Sequence, residues 1–476
     1  MDISSYESLL EDIFGRHPSV SSRGFAADAY KPGLENMLSF DAALGKPSSH
    51  LRCIHVAGTN GKGSVSSMLA SALASQGLSV GLYTSPHLLD FRERARIVTD
   101  SGFELVDRDF VYDFLSSRRQ LFDDLGLSFF EITTGLAFSW FASRGVDIAV
   151  IEVGLGGRLD STNIITPELS IITSIGLDHC DLLGDTVEKI AAEKAGVFKP
   201  GIPALIWGHD EALDPVFLRQ AASVHCPLFF AEDMVPPVVV QGTAPARPTS
   251  FANASRCPAS LPEGRMDLAG EYQSANVRTA LAALRLLGYY EPEAVTENGC
   301  GEPALPCPVG EAIAHTAART GFRGRWEKLH SAPDVICDIG HNPPALRLNF
   351  TQLEHLMAEG SYDRLVIIYG IMADKDLAGI IPLMPREAEY IFVTPDTPRA
   401  LPASEILAAF RRFHHTSVAP KASGESASGP IPSATIADSI SKALSLLLSG
   451  SSRTLIYIGG STYVICEAQK FFDERD

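Results

Sequence analysis

At 476 residues, 45% of them apolar and 20% charged, the chain is too long for one ordinary core and long enough for two domains. No unbroken apolar run reaches the roughly 18 to 20 residues of a bilayer helix, and the acidic start MDISSYESLLEDIF lacks the basic end and apolar core of a secretory signal, so a soluble, unexported protein without a membrane partner is expected. A formal net charge of −18 argues against nucleic acid as a partner, because backbone phosphates are held by clustered Lys and Arg, and it obliges any anionic ligand to be gripped by local groups.

Taken in chain order, short β-branched runs alternate with helical patterns, the signature of an α/β, mostly parallel sheet. The run CIHVAG leads into TNGKGSVSSMLASALASQG, a strand, a glycine loop and a helix. The common triphosphate loop G-x-x-x-x-G-K-[ST] would need a glycine where Val56 stands and a hydroxyl where Gly63 stands. Backbone N–H groups and the helix dipole nevertheless converge on an anion at such a place. Gly58, Gly61 and Gly63 let the main chain fold round phosphate, Lys62 can neutralise it, and Thr59 and Ser64 can add hydroxyls. On the loop alone, an ordinary glycine-rich turn remains an alternative.

SVGLYTS closes at Ser85, followed by Arg92 and Arg94. DIAVIEVG ends on Glu152, a carboxylate in a nearly all-apolar strand, where charge must be paired or metal-bound. The glycines after it fail the dinucleotide pattern G-x-G-x-x-G, since Leu159 holds the last place. LSIITSIG delivers Asp178 and His179 to the next rim, where ligands of open α/β sheets bind, and oxygen ligation beside phosphate suits Mg²⁺. TVEKIAAEKAGVF places Lys194 in an apolar helix, with Glu193 as the ordinary salt-bridge partner. After IPALIWG and a polar surface insertion at 232–265, the helical ANVRTALAALRLLG gives way to a Pro/Gly-rich stretch, which sets a hinge near 290–322. A second series then begins: DVICDIG, RLVIIYGIM, EYIFVTPD and, past another insertion at 418–434, RTLIYIGGS. The eight cysteines are scattered without a C-x-x-C pair and read as thiols of a reducing cytoplasm. A switch NTPase is disfavoured, because no asparagine is followed by lysine as its base reader requires.

The motifs HVAGTNGKGSV, TSPHL, FFEITT, EVGLGGRLDSTN, GLDHCDLLG, EKAG, GRWE and DIGHNPPA stand in this order, and on them the chain resembles folylpolyglutamate synthases and dihydrofolate synthases, within the Mur-ligase-like ATP-dependent amide ligases. That family writes its loop GTNGKG[ST]. The resemblance implies a P-loop-type domain over residues 1–320, carrying the pterin site, and a smaller Rossmann-like α/β ligase domain over 321–476. It implies that Thr59, Asn60, Gly61, Lys62, Gly63 and Ser64 hold the triphosphate, that Ser85 and Glu152 bind one Mg²⁺, and that Glu152 and His179 bind a second. Lys194 matches the family's carbamylated lysine. Asn276 would meet the nucleotide base, although the family's Q..NA is written QSANV here. Arg325, Asp338 and His341 would reach phosphate and ribose from the second domain, and Lys62, Lys194, His179 and Arg325 form the catalytic set. On the pterin side the resemblance points to Lys31, Pro32 and Gly33, to Ser128, Phe129, Phe130 and Glu131, and to Leu159, Asp160 and Ser161; Phe129 and Phe130 could equally be plain core. The expected activity is ATP-dependent attachment of L-glutamate to dihydropteroate, to reduced folates or to both, through an acyl phosphate, by a cytoplasmic monomer. A synthase for folates alone, or a Mur-type ligase with another acid, is the alternative. With 57 residues before Gly58, no nucleotide-sugar domain is expected ahead of the loop.

Overall fold

The computed structural model describes residues 3–17, 33–239, 259–260, 266–291, 308–417 and 432–475. The chain divides into two compact units: Met1–Leu268 with Tyr272–Phe322, and Ala269–Glu271 with Arg323–Asp476.

Unit 1 is built on an eight-stranded sheet in the order β4-β3-β2-β5-β1-β6-β7-β8. Its strands are β1 (Cys53–Ala57), β2 (Val80–Tyr83), β3 (Ala95–Thr99), β4 (Gly102–Leu105), β5 (Ile148–Glu152), β6 (Leu169–Ile172), β7 (Ala204–Ile206) and β8 (Leu228–Phe230). β2, β5, β1, β6, β7 and β8 run parallel, and only the β2-β3-β4 edge is antiparallel. Helices cover both faces, which is why β1, β2, β5, β6 and β7 are buried throughout and read as unbroken apolar runs. One core holds the helices Lys62–Ala74 and Gln273–Leu286, another is rich in aromatic rings from the helix Phe129–Arg144, and a third packs Ala191, Phe198 and Phe217 against β6 and β7. Every residue from Gly63 to Ala74 is buried. Its small Ser and Ala side chains let neighbours approach on all sides, so this helix has no polar face.

The predicted surface insertion at 232–265 is only partly one. The helix Ala231–Met234 opens it, Val235 and Val238 are buried in the first core, and the short β9 (Val238–Val239) pairs with β10 (Ala259–Ser260). The side chains of Val235 and Val238 find cover that the polar composition of the rest conceals.

Unit 2 carries a six-stranded sheet in the order β11-β12-β16-β13-β14-β15. The strands are β11 (Glu327–His330), β12 (Asp334–Asp338), β13 (Arg364–Tyr369), β14 (Glu389–Phe392), β15 (Ala434–Ile436) and β16 (Thr454–Gly459), all parallel except β11. Residues Ala269–Glu271 are bound into this unit: buried Gln352 donates its amide to Ala269 O (3.0 Å) and accepts the Glu271 N–H (2.8 Å), and His355 Nδ1 lies 3.1 Å from Glu271 Oε1. Both sheets are mostly parallel with crossover helices, as the alternating pattern predicts. Among the described residues, no helix is long and apolar enough to cross a membrane.

Candidate active site

β2, β5, β1 and β6 lie side by side in unit 1, so the loops leaving their carboxyl ends share one rim. The chain after β1 turns through residues 58–61 into the helix at Lys62, whose N-cap, Gly61, has no side chain to satisfy the first-turn amides. Gly58 (φ +149°) and Gly61 (φ +88°) adopt conformations that favour glycine. Space forbids anything larger as well: a β-carbon would lie 1.8 Å from Thr173 Oγ1 at Gly58 and 2.4 Å from Asn276 Oδ1 at Gly61. The end of β6 braces the loop, with the Thr59 N–H donating to Ser174 O (2.7 Å) and the Thr173 hydroxyl to Asn60 O (2.7 Å). Thr59 to Lys62 are partly exposed, whereas Gly63 and Ser64 are buried. Gln273 ties two expected ligands together, donating to Ser64 Oγ (3.3 Å) and accepting from Asn276 Nδ2 (2.8 Å). Asn276 therefore stands against the loop itself, at Gly61.

Two ammonium groups meet on one carbonyl. Lys62 Nζ donates to Gly58 O (3.1 Å) and Thr59 O (3.2 Å), and Lys194 Nζ donates to the same Gly58 O (2.7 Å). Lys194 is 4% exposed. Burial, reinforced by the charge of Lys62 and opposed by Asp178 and Asp160, pushes its amine down to about 7. Glu193 is not its partner: that carboxylate binds Arg158 at 2.9 Å, because consecutive helical residues point in different directions.

On the neighbouring rims, Glu152 ends β5 at 4% exposure and its Oε2 accepts the Ser85 N–H at 2.9 Å. The buried Arg94 and Arg96 of the β3 edge lie within electrostatic range of it. Arg96, which sequence reasoning missed, reaches Thr84 Oγ1 at 3.4 Å, and burial pushes its guanidinium down to about 10. His179 follows β6 in the left-handed region (φ 52°), its N–H donating to Asp178 Oδ1 at 2.9 Å. Among the described residues, no three His, Cys, Asp or Glu side chains gather closely enough to cage a metal. A buried carboxylate beside a serine instead fits a hard divalent cation that keeps most of its ligands from water and phosphate.

Of the expected pterin residues, Lys31 and Pro32 lie outside the described residues, and Gly33 leads into the helix Glu35–Ala43. Ser128 and Glu131 form a capping box on the helix Phe129–Arg144: Ser128 Oγ accepts the Glu131 N–H (3.3 Å), and Glu131 Oε2 accepts the Ser128 N–H (2.7 Å). Phe129 sits in the aromatic core, where Arg94 lies 4.9 Å from its ring centroid, while Phe130 presses on Gly154 at the end of β5. Leu159 and Ser161 are half-buried. Asp160 is buried and accepts the N–H groups of Leu155 (2.8 Å) and Thr162 (3.0 Å); burial drives its carboxyl up against these bonds. The Thr162 hydroxyl, also bound to Asp160, meets His55 Nε2 of β1 at 2.8 Å. His55 is wholly buried and pushed down to about 3, so it is a neutral link between the phosphate-loop strand and the Asp160 loop. Its signal in the sequence, a lone histidine in an apolar strand, is weak.

In unit 2, Asp338 closes β12 and accepts from the Trp326 N–H (2.9 Å), the Gly340 N–H (2.7 Å) and Asn349 Nδ2 (2.8 Å). Trp326 has φ 49°, an unusual conformation for so bulky a residue, held by that bond and by the buried indole. Arg325, just before it, is half-buried and donates to Gly324 O (3.3 Å), and His341 Nδ1 lies 3.0 Å from Ile339 O.

The model of the Mur ligase middle domain matches residues 128–284, and that of the Mur ligase glutamate ligase domain matches residues 324–461. Folylpolyglutamate synthase of Lacticaseibacillus casei is 35% identical over 76% of this chain and 81% of its own length. E. coli FolC in complex with DHPP and ADP aligns with a TM-score of 0.72 at 26% identity, over 99% of this chain and 98% of that one. The bifunctional folylpolyglutamate synthase/dihydrofolate synthase of Yersinia pestis, complexed with AMPPNP and Mn ion, aligns with a TM-score of 0.66 at 26% identity, over 93% of each chain.

Proposed function

The chain belongs to the folylpolyglutamate synthase/dihydrofolate synthase family of Mur-type ligases, and from that premise we propose that it is a bifunctional enzyme, joining L-glutamate both to dihydropteroate and to the γ-carboxylate of reduced folates. It is an ADP-forming ligase of an acid and an amino acid. A carboxylate is a poor electrophile, so ATP supplies the γ-phosphoryl group that turns it into an acyl phosphate, and the nucleotide leaves as ADP; the amine of glutamate then attacks the acyl carbon, forming the amide and expelling inorganic phosphate with loss of a proton from nitrogen.

Positioning and charge neutralisation are the tasks left to the protein. The amides of residues 59–64 and the Lys62 ammonium would cradle the triphosphate, and Asn276 would hold the loop's far side. Glu152, with Ser85 and His179, would hold divalent metal, two Mg²⁺ ions in our reading, which supplies positive charge where phosphate oxygens develop more negative charge. Lys194, with an amine near neutrality, is ready to take up CO₂ as a carbamate, which would turn a costly buried cation into an anion beside the metal. Arg325, Asp338 and His341 would act on the nucleotide from unit 2. Asp160, on the loop after β5, and Phe130, in the first turn of the helix Phe129–Arg144, are pterin-side candidates, with the ring suited to stacking. We further read the protein as a cytoplasmic monomer acting on small molecules.

The observation that carries this reading is the strand-rim cluster of glycine loop, Lys62, Lys194 and Glu152. The deciding test measures ADP release from Mg·ATP by the purified chain, with dihydropteroate or tetrahydrofolate, with and without L-glutamate. Release with both acids, dependent on glutamate, is expected. Release with tetrahydrofolate alone narrows the enzyme to folylpolyglutamate synthesis, and indifference to both acids removes the folate reading.

A further inference from the structure

Gly63 is the residue that makes the phosphate loop irregular, and its backbone does not explain it. It lies inside the helix Lys62–Ala74, in a conformation open to any residue, and glycine is a poorer helix former there than alanine. Space explains it instead. A β-carbon there would lie 3.0 Å from both Cε2 and Cζ of the Phe322 ring and 3.6 Å from Glu152 Oε1. The ring is partly buried, packs against the core that contains this helix, and belongs to the last residue of unit 1 before the chain continues to Arg325.

We propose that Phe322 is a positioning residue for the nucleotide site: its ring, seated on the bare backbone of Gly63, fixes the first helical turn beside Glu152 and anchors the chain's exit from unit 1 on the phosphate loop. This rests on the phosphate-loop reading above. It explains why a hydroxyl residue is displaced by one place, to Ser64, since any side chain at residue 63 must push the ring off its seat on the backbone. Phe322 touches neither nucleotide nor acid in this account. Its effect passes through Gly63.

The test uses the full-length chain and five variants: F322A, F322L, G63A, the double G63A/F322A, and K62A. Calorimetry gives the affinity for Mg·ADP, steady-state kinetics give KM for dihydropteroate, and melting gives Tm. Two residues in contact should couple, so G63A is expected to weaken Mg·ADP about tenfold in the parent and about threefold or less in the F322A background. F322A should weaken Mg·ADP while leaving the KM for the acid unchanged, and F322L, which refills the space without adding an atom where Cζ meets Gly63, should recover most of it. Equal G63A losses in both backgrounds overturn the proposal, as does an F322A chain whose nucleotide affinity is untouched while Tm falls. If the parent binds Mg·ADP no better than K62A does, the phosphate-loop reading itself fails, and that failure shows in the parent and K62A without reference to Phe322.

Discussion

Lys62 and Lys194 share the Gly58 carbonyl, and in our reading the Lys62 ammonium is the positive charge that a triphosphate would meet. Removing the more exposed of the two tests how far turnover depends on it: Lys62→Ala should lower kcat by on the order of 10² to 10³, and near-normal turnover would rule out its assigned role. A second charged residue bears on stability. His209 bridges Asp214 (2.7 Å) and Asp233 (3.1 Å) with its ring stacked on Phe230, and its bond to Asp214, then that to Asp233, raises its pKa. A histidine raised above its unfolded value of 6.5 stabilises the fold fully below that pH and loses this contribution as pH climbs through the folded value. The Tm gap between the parent and His209→Asn should therefore be widest near pH 6, at about 1 to 2 °C for a surface pair, and close by pH 9. Lys62 and Glu152 were legible because each breaks a local pattern, a glycine loop or an apolar strand. His55 was not, because its partner Thr162 lies far along the chain, and Glu193 was a wrong partner for Lys194 because nearness in sequence is not nearness around a helix.

Helix caps and edge strands decide the next scale. Ser128 caps the helix Phe129–Arg144 whatever else it does, so Ser128→Ala should lower unfolding free energy by about 1 kcal/mol, read by denaturant titration. An accompanying rise in KM for dihydropteroate would add the substrate role to the structural one; unchanged stability would mean the box contributes nothing. The buried parallel strands were plain in the sequence. β11 and β15 were not: EKLH and ATI are short, half-exposed edges whose pattern is no more apolar than a loop's. The helix Lys62–Ala74 was recognised by its place after a glycine loop, since burial on every side removes the periodic stripe that marks a surface helix.

Over the whole molecule, the net charge of −18 opposes every anionic substrate until it reaches the rim of the unit 1 sheet. Raising NaCl from about 0.02 to 0.15 M at fixed free Mg²⁺ shortens the Debye length to about 8 Å, so kcat/KM for ATP should rise across that range. A steep fall would mean that attraction, not repulsion, governs the approach. The Pro/Gly-rich stretch marked in the sequence where one series of strands gives way to the next. Periodicity could not reveal the earlier excursion, because Ala269, Gly270 and Glu271 are too few residues to carry any. That excursion limits how the gene can be cut. A clone starting at residue 323 would leave Gln352 with neither of its backbone partners and His355 without its carboxylate. Any split or swapped version must therefore graft this tripeptide from within the first half, or accept a second half born with an open seam.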